Sequence, residues 1–343
     1  MSGRMSEVKI PWTEKLCPFR APLDILTGCY PAFVFGGPLS GKILPVFHFH
    51  EVTPQYLEPY LRYLSDNGYR GATGAELIDF VEARSPISEK TVLLTFDDAW
   101  TSLWTVAAPL LRKYGLHAMT FAIPGRVSIR EGLRPNIDDD PNMVDFGDQG
   151  SEPFCRWDEL IQLDREGVIE VESHTYAHEQ IIVGDAEDSP VWTDITLRNT
   201  PLLSRPLLWT SYDSFRPIDD RDIGKPRGVT RSRMSNGLMT ENGIQESKDQ
   251  QREAIRDDLS RCRSVFAERM KRESEILCFP WAVAGQVARE AAKGVGFRIA
   301  FSDSFPGKRY VHPKADPYRL MRLKHNWIFN LPGQGRRKAP IPK

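Results

Sequence analysis

"TVLLTFDDAW", residues 91–100, decides the reading of the fold. Thr91–Phe96 is a short, nearly continuous apolar run of the kind that forms a strand buried on both faces of a parallel sheet. It ends in two adjacent carboxylates, Asp97 and Asp98, and then the bulky Trp100. Neighbouring side chains on a strand point to opposite faces, so Asp97 and Asp98 share one site only if the strand is already turning into its loop, as "AWTS" suggests. The plain alternative is that one carboxylate caps a helix beginning near Ser102 while the other faces water.

Around this strand the pattern alternates. "ILPVFHFH" (43–50) reads as a strand and "PQYLEPYLRYLSDNGY" (54–69) as a helix stopped by Gly68, followed by a short helix in "GAELIDFVEA" (74–83). After the 91–100 strand come the helix "LWTVAAPLLRKYG", the strand "HAMTFAI", the helix "WDELIQLDREG" and the strand "VIEVES". A charged helix spans Ser247–Lys271; it is followed by the strand "EILCFP", the helix "QVAREAAKGVG" and the strands "RIAFS" and "YRLMRL". Strand–helix alternation implies right-handed crossovers and a parallel sheet or barrel, an α/β fold. The interleaved acids and bases of the 247–271 helix read as a solvated outer face and nothing more.

Residues 1–41 look like an irregular arm, 184–244 like an aperiodic insertion that is either a functional lid or subsite wall or a disordered segment, and 331–343 like a basic, Pro-rich tail of packed coil or disorder. The whole, 1–343, is read as a single domain. A net charge of −1 leaves no general footprint for nucleic acid, and no run of about 18 apolar residues suggests a membrane span. Five scattered cysteines without a C-x-x-C pair fit a reducing compartment, and the polar start "MSGRMSEVKIPW" fits a cytoplasmic protein. Oligomeric state is not legible.

Ligands of parallel α/β folds collect at the carboxyl ends of the strands. Three polar groups fall there: Asp97 with Asp98, His174 with His178 in "SHTYAH", and His48 with His50. Histidines four apart bring two imidazoles to one side of a helical turn, and with an Asp they form a two-nitrogen, one-oxygen set that leaves positions open on a divalent metal. A carboxylate beside that set has work as a proton acceptor, because the cation raises the acidity of water.

These residues resemble the polysaccharide deacetylase family, also called the NodB-like domain or carbohydrate esterase family 4. "TFDD" (95–98) matches its first motif and "SHTYAH" (173–178) its second, while "CFPWAVAG" (278–285) is similar to the third with its glycine displaced. The resemblance runs from about Ile43 to Asn330 and does not cover the insertion. It implies a distorted (β/α) barrel, commonly seven-stranded, of a kind that removes N-acetyl or O-acetyl groups from sugars, with an N-acetylated amino sugar or glycan as the leading substrate. Asp98, His174 and His178 would hold one divalent metal, zinc foremost, with cobalt or nickel as alternatives. Asp97 would be the base that deprotonates the attacking water, with a backbone N–H near Trp281 on the oxyanion.

In the poly-N-acetylglucosamine deacetylase subgroup, which the chain resembles more closely, an early strand histidine is the general acid, and His50 aligns with it. His325 in "LKHNW" is the alternative acid, matching a late motif of other members. Many members begin the third motif with an Arg that orients the base; Cys278 and Phe279 occupy that region here. Trp100 and Trp281 are the candidate sugar-stacking residues. Two other functions remain open on the same scaffold: a carbohydrate-binding protein without catalysis, and a hydrolase of another, cyclic amide.

Overall fold

A computed structural model describes residues 28–140, 152–184, 229–235, 246–302 and 307–337, with the backbone alone at 180–184 and 229–231. Most of the expected N-terminal arm and insertion, and the tail beyond 337, lie outside the described residues.

The sheet strands are β1 (Val46–Phe49), β2 (Arg70–Gly71), β3 (Thr91–Asp98), β4 (Ala118–Ala122), β5 (Ile169–Ser173), β8 (Ile276–Cys278), β9 (Ile299–Phe301) and β10 (Leu323–Lys324). They form one parallel sheet in the order β10-β1-β3-β4-β5-β8-β9, with β2 added on β3. A separate antiparallel pair joins β6 (Gln180–Gly184), at the start of the expected insertion, to β7 (Val229–Ser232), which lies inside it, so the insertion is not wholly aperiodic. The seven-stranded path curls until its edges meet. Leu320 pairs with Phe301 of β9, and three residues later Leu323 pairs with Phe47 of β1. This is the expected distorted (β/α) barrel. "YRLMRL" contributes less strand than its pattern suggests, because its residues switch from one neighbour to the other within that closure.

Alternation along β3 sends Leu93, Thr95 and Asp97 inward, in register with Val46 and His48 of β1. The lower barrel is filled by Val46, Leu93, Met119, Phe121, Ile276, Ile299 and Phe301. Helix α2 (Gly74–Val81) plugs that end with Leu77, Ile78 and Phe80, and starts in a capping box between Thr73 and Glu76. Each of these large apolar side chains contributes about 1.5–3 kcal/mol by leaving water. Outward-facing Leu94 and Phe96 pack under α1 (Pro54–Asp66), α3 (Ala108–Tyr114, entered through a π-helical turn at Leu103–Ala107) and α4 (Trp157–Arg165). With the base filled by apolar side chains, polar groups gather at the other end, where the strands finish.

Helix α5 (Lys248–Met270) corrects one expectation. It is not merely a solvated charged face, since Gln251, Ile255, Leu259, Cys262 and Phe266 form a buried stripe. Helical spacing hid that stripe among charges on the other faces. Helix α6 (Gln286–Val295) packs against it through Ala288, Ala291 and Ala292. Among the described residues, no helix is long and apolar enough to cross a membrane.

Candidate metal centre and catalytic cleft

The strand does turn at its carboxylates. Asp98 and Ala99 adopt left-handed backbone, φ 72° and 57°, so β3 breaks its alternation and both carboxylates, 4% and 3% exposed, face the barrel mouth. Non-glycine residues hold that conformation only where the surroundings impose it, a recurrent feature of functional sites. Neither carboxylate caps the helix that follows; the Ser102 hydroxyl accepts from the Val52 N–H, tying the β3 loop to the loop after β1.

Asp98 turns toward the histidines. Its Oδ1 lies 3.4 Å from His174 Nε2 and 3.7 Å from His178 Nε2, and this buried oxygen has no hydrogen-bond partner among the described residues. Its Oδ2 accepts from the Trp100 indole N–H at 3.1 Å. His174 Nδ1 sits 2.7 Å from the Cys278 carbonyl, an acceptor, so Nδ1 carries the proton and Nε2 presents its lone pair. Burial, reinforced by His174 and Arg126, holds the His178 imidazolium form well below its ordinary range, leaving the ring neutral. One carboxylate oxygen and two imidazole nitrogens within 4.8 Å of one another suit a divalent cation.

The two histidines meet differently from the expected helical turn. Residues 174–178 are a loop, with Thr175 and His178 in left-handed conformation, φ 62° and 52°. The Thr175 hydroxyl accepts from the His178 N–H, and the Asp258 carboxylate on α5 accepts from the N–H groups of Tyr176 and Ala177, both at 3.0 Å. Burial raises the Asp258 carboxyl to about 6 against the opposing pull of those two N–H groups. Asp258 therefore fastens the loop that carries both imidazoles.

Asp97 faces a different group. Arg322, just ahead of β10 and 5% exposed, donates from Nη1 to Oδ1 at 2.6 Å and from Nη2 to Oδ2 at 2.8 Å, and also reaches the Thr95 hydroxyl. Burial pushes the Asp97 carboxyl up, but the charge and paired hydrogen bonds of Arg322 outweigh it and hold Asp97 well below the usual carboxylate range. Where "CFPWAVAG" offers no arginine, one from the barrel's closing segment holds Asp97.

His50, with its side chain half exposed, places Nε2 3.7 Å from Asp97 Oδ2. His48 shares its strand face one layer deeper, and burial together with Arg322 keeps it neutral. His325 occupies another environment: it stacks on Phe49, which points to the outer side of β1, and bonds the Tyr56 hydroxyl. Trp281, with φ 54°, sets its ring edge-on to His178 at 4.2 Å. The Trp100 ring lies against Phe154, 4.9 Å between centroids, so one of its faces is already covered.

Residues 84–217 match the family model described as polysaccharide deacetylase. That segment belongs to the polysaccharide deacetylase family. It contains Asp97, Asp98, His174 and His178, whereas His50, Trp281 and Arg322 lie outside the matched residues. The chain is similar to the poly-beta-1,6-N-acetyl-D-glucosamine N-deacetylase of Escherichia coli (strain K12), 27% identical over 150 residues, which are 43% of this chain and 21% of that protein. The chain thus spans about a fifth of that curated relative.

Two solved structures of deacetylases share the fold. One is a de-N-acetylase from Aggregatibacter actinomycetemcomitans, with TM-score 0.57, 19% identity, and coverage of 82% of this chain and 94% of that one. The other is the BpsB deacetylase domain from Bordetella bronchiseptica, with TM-score 0.60, 16% identity, and coverage of 84% and 97%.

Sequence reasoning missed Arg322, Asp258 and the Cys278 carbonyl. The vacancy in the third motif was the one signal that an arginine had to come from elsewhere.

Proposed function

We propose that this chain is a metal-dependent hydrolase that removes an N-acetyl group from an amino sugar or glycan. The observation that carries the reading is Asp98 Oδ1, a buried carboxylate oxygen with no hydrogen-bond partner among the described residues, facing the Nε2 atoms of two histidines. A buried anion so placed is costly unless a cation completes it. Asp98, His174 and His178 would hold that cation, zinc foremost. When bound, it supplies Lewis acidity to the acetyl carbonyl and raises the acidity of water.

The chain's own groups divide the remaining work. Asp97 is ionised, and although Arg322 engages both oxygens, each keeps a second lone pair that can accept a proton from the attacking water. Arg322 fixes the direction of those lone pairs. A backbone N–H in the turn around Trp281 donates to the oxyanion that develops as water adds to the carbonyl carbon. His50, beside Asp97 and open to solvent, donates a proton to the nitrogen as the C–N bond breaks, releasing acetate and the free amine. His50 takes this role over His325 because its Nε2 lies 3.7 Å from Asp97 Oδ2, whereas His325 stacks on Phe49 and bonds the Tyr56 hydroxyl.

The test is acetate release from N-acetylglucosamine oligomers by purified protein, with and without zinc and with a chelator. Release that needs the metal supports the reading. Glycan binding without release would make the chain a binding protein, and turnover of cyclic amides in place of acetylated sugars would assign another amide hydrolysis.

A further inference from the structure

Trp100 is used in a way that sugar stacking does not explain. Its indole N–H takes one oxygen of Asp98, at 3.1 Å, and the other oxygen is the one that faces the two imidazoles. The ring is not free to swing. Phe154 stacks on it with planes 25° apart, and Trp100 and Phe154 also form an antiparallel backbone bridge. On either side, the Cys155 N–H donates to the Ala99 carbonyl at 2.9 Å, the Thr101 N–H donates to the Pro153 carbonyl at 2.8 Å, and the Cys155 thiol donates to the Trp100 carbonyl. The segment 153–155 thereby clamps the left-handed turn 98–99 and points the indole nitrogen.

A carboxylate has two oxygens and can grip a cation through either or both. At Asp98 one of them is already committed to a donor that the fold holds in place. We propose that Trp100 is a positioning residue for the metal: by occupying Oδ2 it presents Oδ1 alone to a divalent cation, and it fixes the carboxylate angle at which Oδ1 meets His174 and His178. The Cys278 carbonyl does the corresponding work for His174 by fixing its tautomer. This inference rests on the metal reading above. It gives the aromatic after the paired carboxylates a role in cation affinity and in keeping coordination positions open.

The experiment is zinc affinity by competition with a chromophoric chelator, together with the visible absorption of the cobalt-substituted protein. It compares the parent with Trp100→Phe, which keeps an aromatic ring and loses the N–H. Partner groups that orient metal ligands typically change affinity by about 10–100-fold. Trp100→Phe is therefore expected to bind zinc 10–100-fold more weakly and to show a changed cobalt spectrum, with the thermal midpoint of the metal-free protein within a few degrees of the parent.

Should Trp100→Phe fail to fold, β-(3-benzothienyl)alanine at position 100 preserves the bicyclic shape with sulfur in place of N–H, and the same loss is expected. A folded variant with parental zinc affinity and an unchanged cobalt spectrum overturns the role of Trp100 and leaves the metal site standing. A parent that takes up neither zinc nor cobalt overturns both this inference and the reading beneath it.

Discussion

Arg322 and Asp97, 225 residues apart, meet inside the barrel as a two-pronged ion pair, Nη1 on Oδ1 and Nη2 on Oδ2. The guanidinium is itself held between Phe121 and Phe301, with 5.7 Å from its central carbon to each ring centroid. A planar fork against a planar carboxylate fixes both position and angle, which a lysine ammonium does not.

The pair sets a pH dependence. Asp97 has its carboxyl depressed in the folded protein, so the stability from the pair is present above the ordinary carboxylate pKa and is lost as pH falls toward the lower folded value. Arg322→Met removes the depressing charge and leaves burial, which raises the carboxyl, unopposed. The acid limb of kcat/KM should therefore move to higher pH, with a stability loss of about 3–5 kcal/mol from the unpaired buried carboxylate. Arg322→Lys should fall between Arg322→Met and the parent. An acid limb that stays in place in a folded Arg322→Met protein would show that Asp97 is not the base.

Asp97→Asn keeps the shape of that residue and removes its basicity. Turnover should drop by about 10²–10⁴-fold, the usual worth of a positioned base, while zinc affinity stays near that of the parent. Equilibrium dialysis against zinc and an acetate assay on the same preparation separate the two effects.

Asp258→Ala tests the fastening of the histidine loop. It strands the N–H groups of Tyr176 and Ala177, and each unsatisfied buried donor costs about 1–3 kcal/mol. Chemical denaturation should show that loss, and zinc affinity should fall with it, because His174 and His178 flank the released segment. Unchanged affinity in the destabilised variant would mean that the loop holds its shape without α5.

His50 and His325 are separable by kinetics. His50→Ala should lower kcat by about 10²-fold or more if it donates the leaving-group proton. His325→Ala should cost stability through the lost Tyr56 bond and Phe49 stack, with kcat largely retained. The opposite ordering in initial-rate measurements would transfer the acid role to His325.

The parts of the site legible in the sequence were those with local signatures. Asp97 and Asp98 end an apolar strand, and His174 and His178 stand at a fixed spacing within one segment. That spacing did not reveal how the histidines converge, because a helical turn and a loop with two left-handed residues bring positions four apart to similar places. Arg322 was hidden for another reason: it is one of 45 lysines and arginines, and only the closure of the barrel carries it to Asp97. Asp258 sits in a run of charges whose inward face emerges only once α5 packs on α6 and the strands. Trp100 could be placed near the cleft from its position after the carboxylates, but the direction of its N–H depends on residues 153–155, far along the chain.

The most direct measurement is zinc titration of the metal-free protein, with acetate released from N-acetylglucosamine oligomers as the readout. The account predicts that release rises with added zinc, levels off at one equivalent, and is abolished in His174→Ala and His178→Ala. Acetate release that is indifferent to zinc and to a chelator, in parent and variants alike, would contradict it.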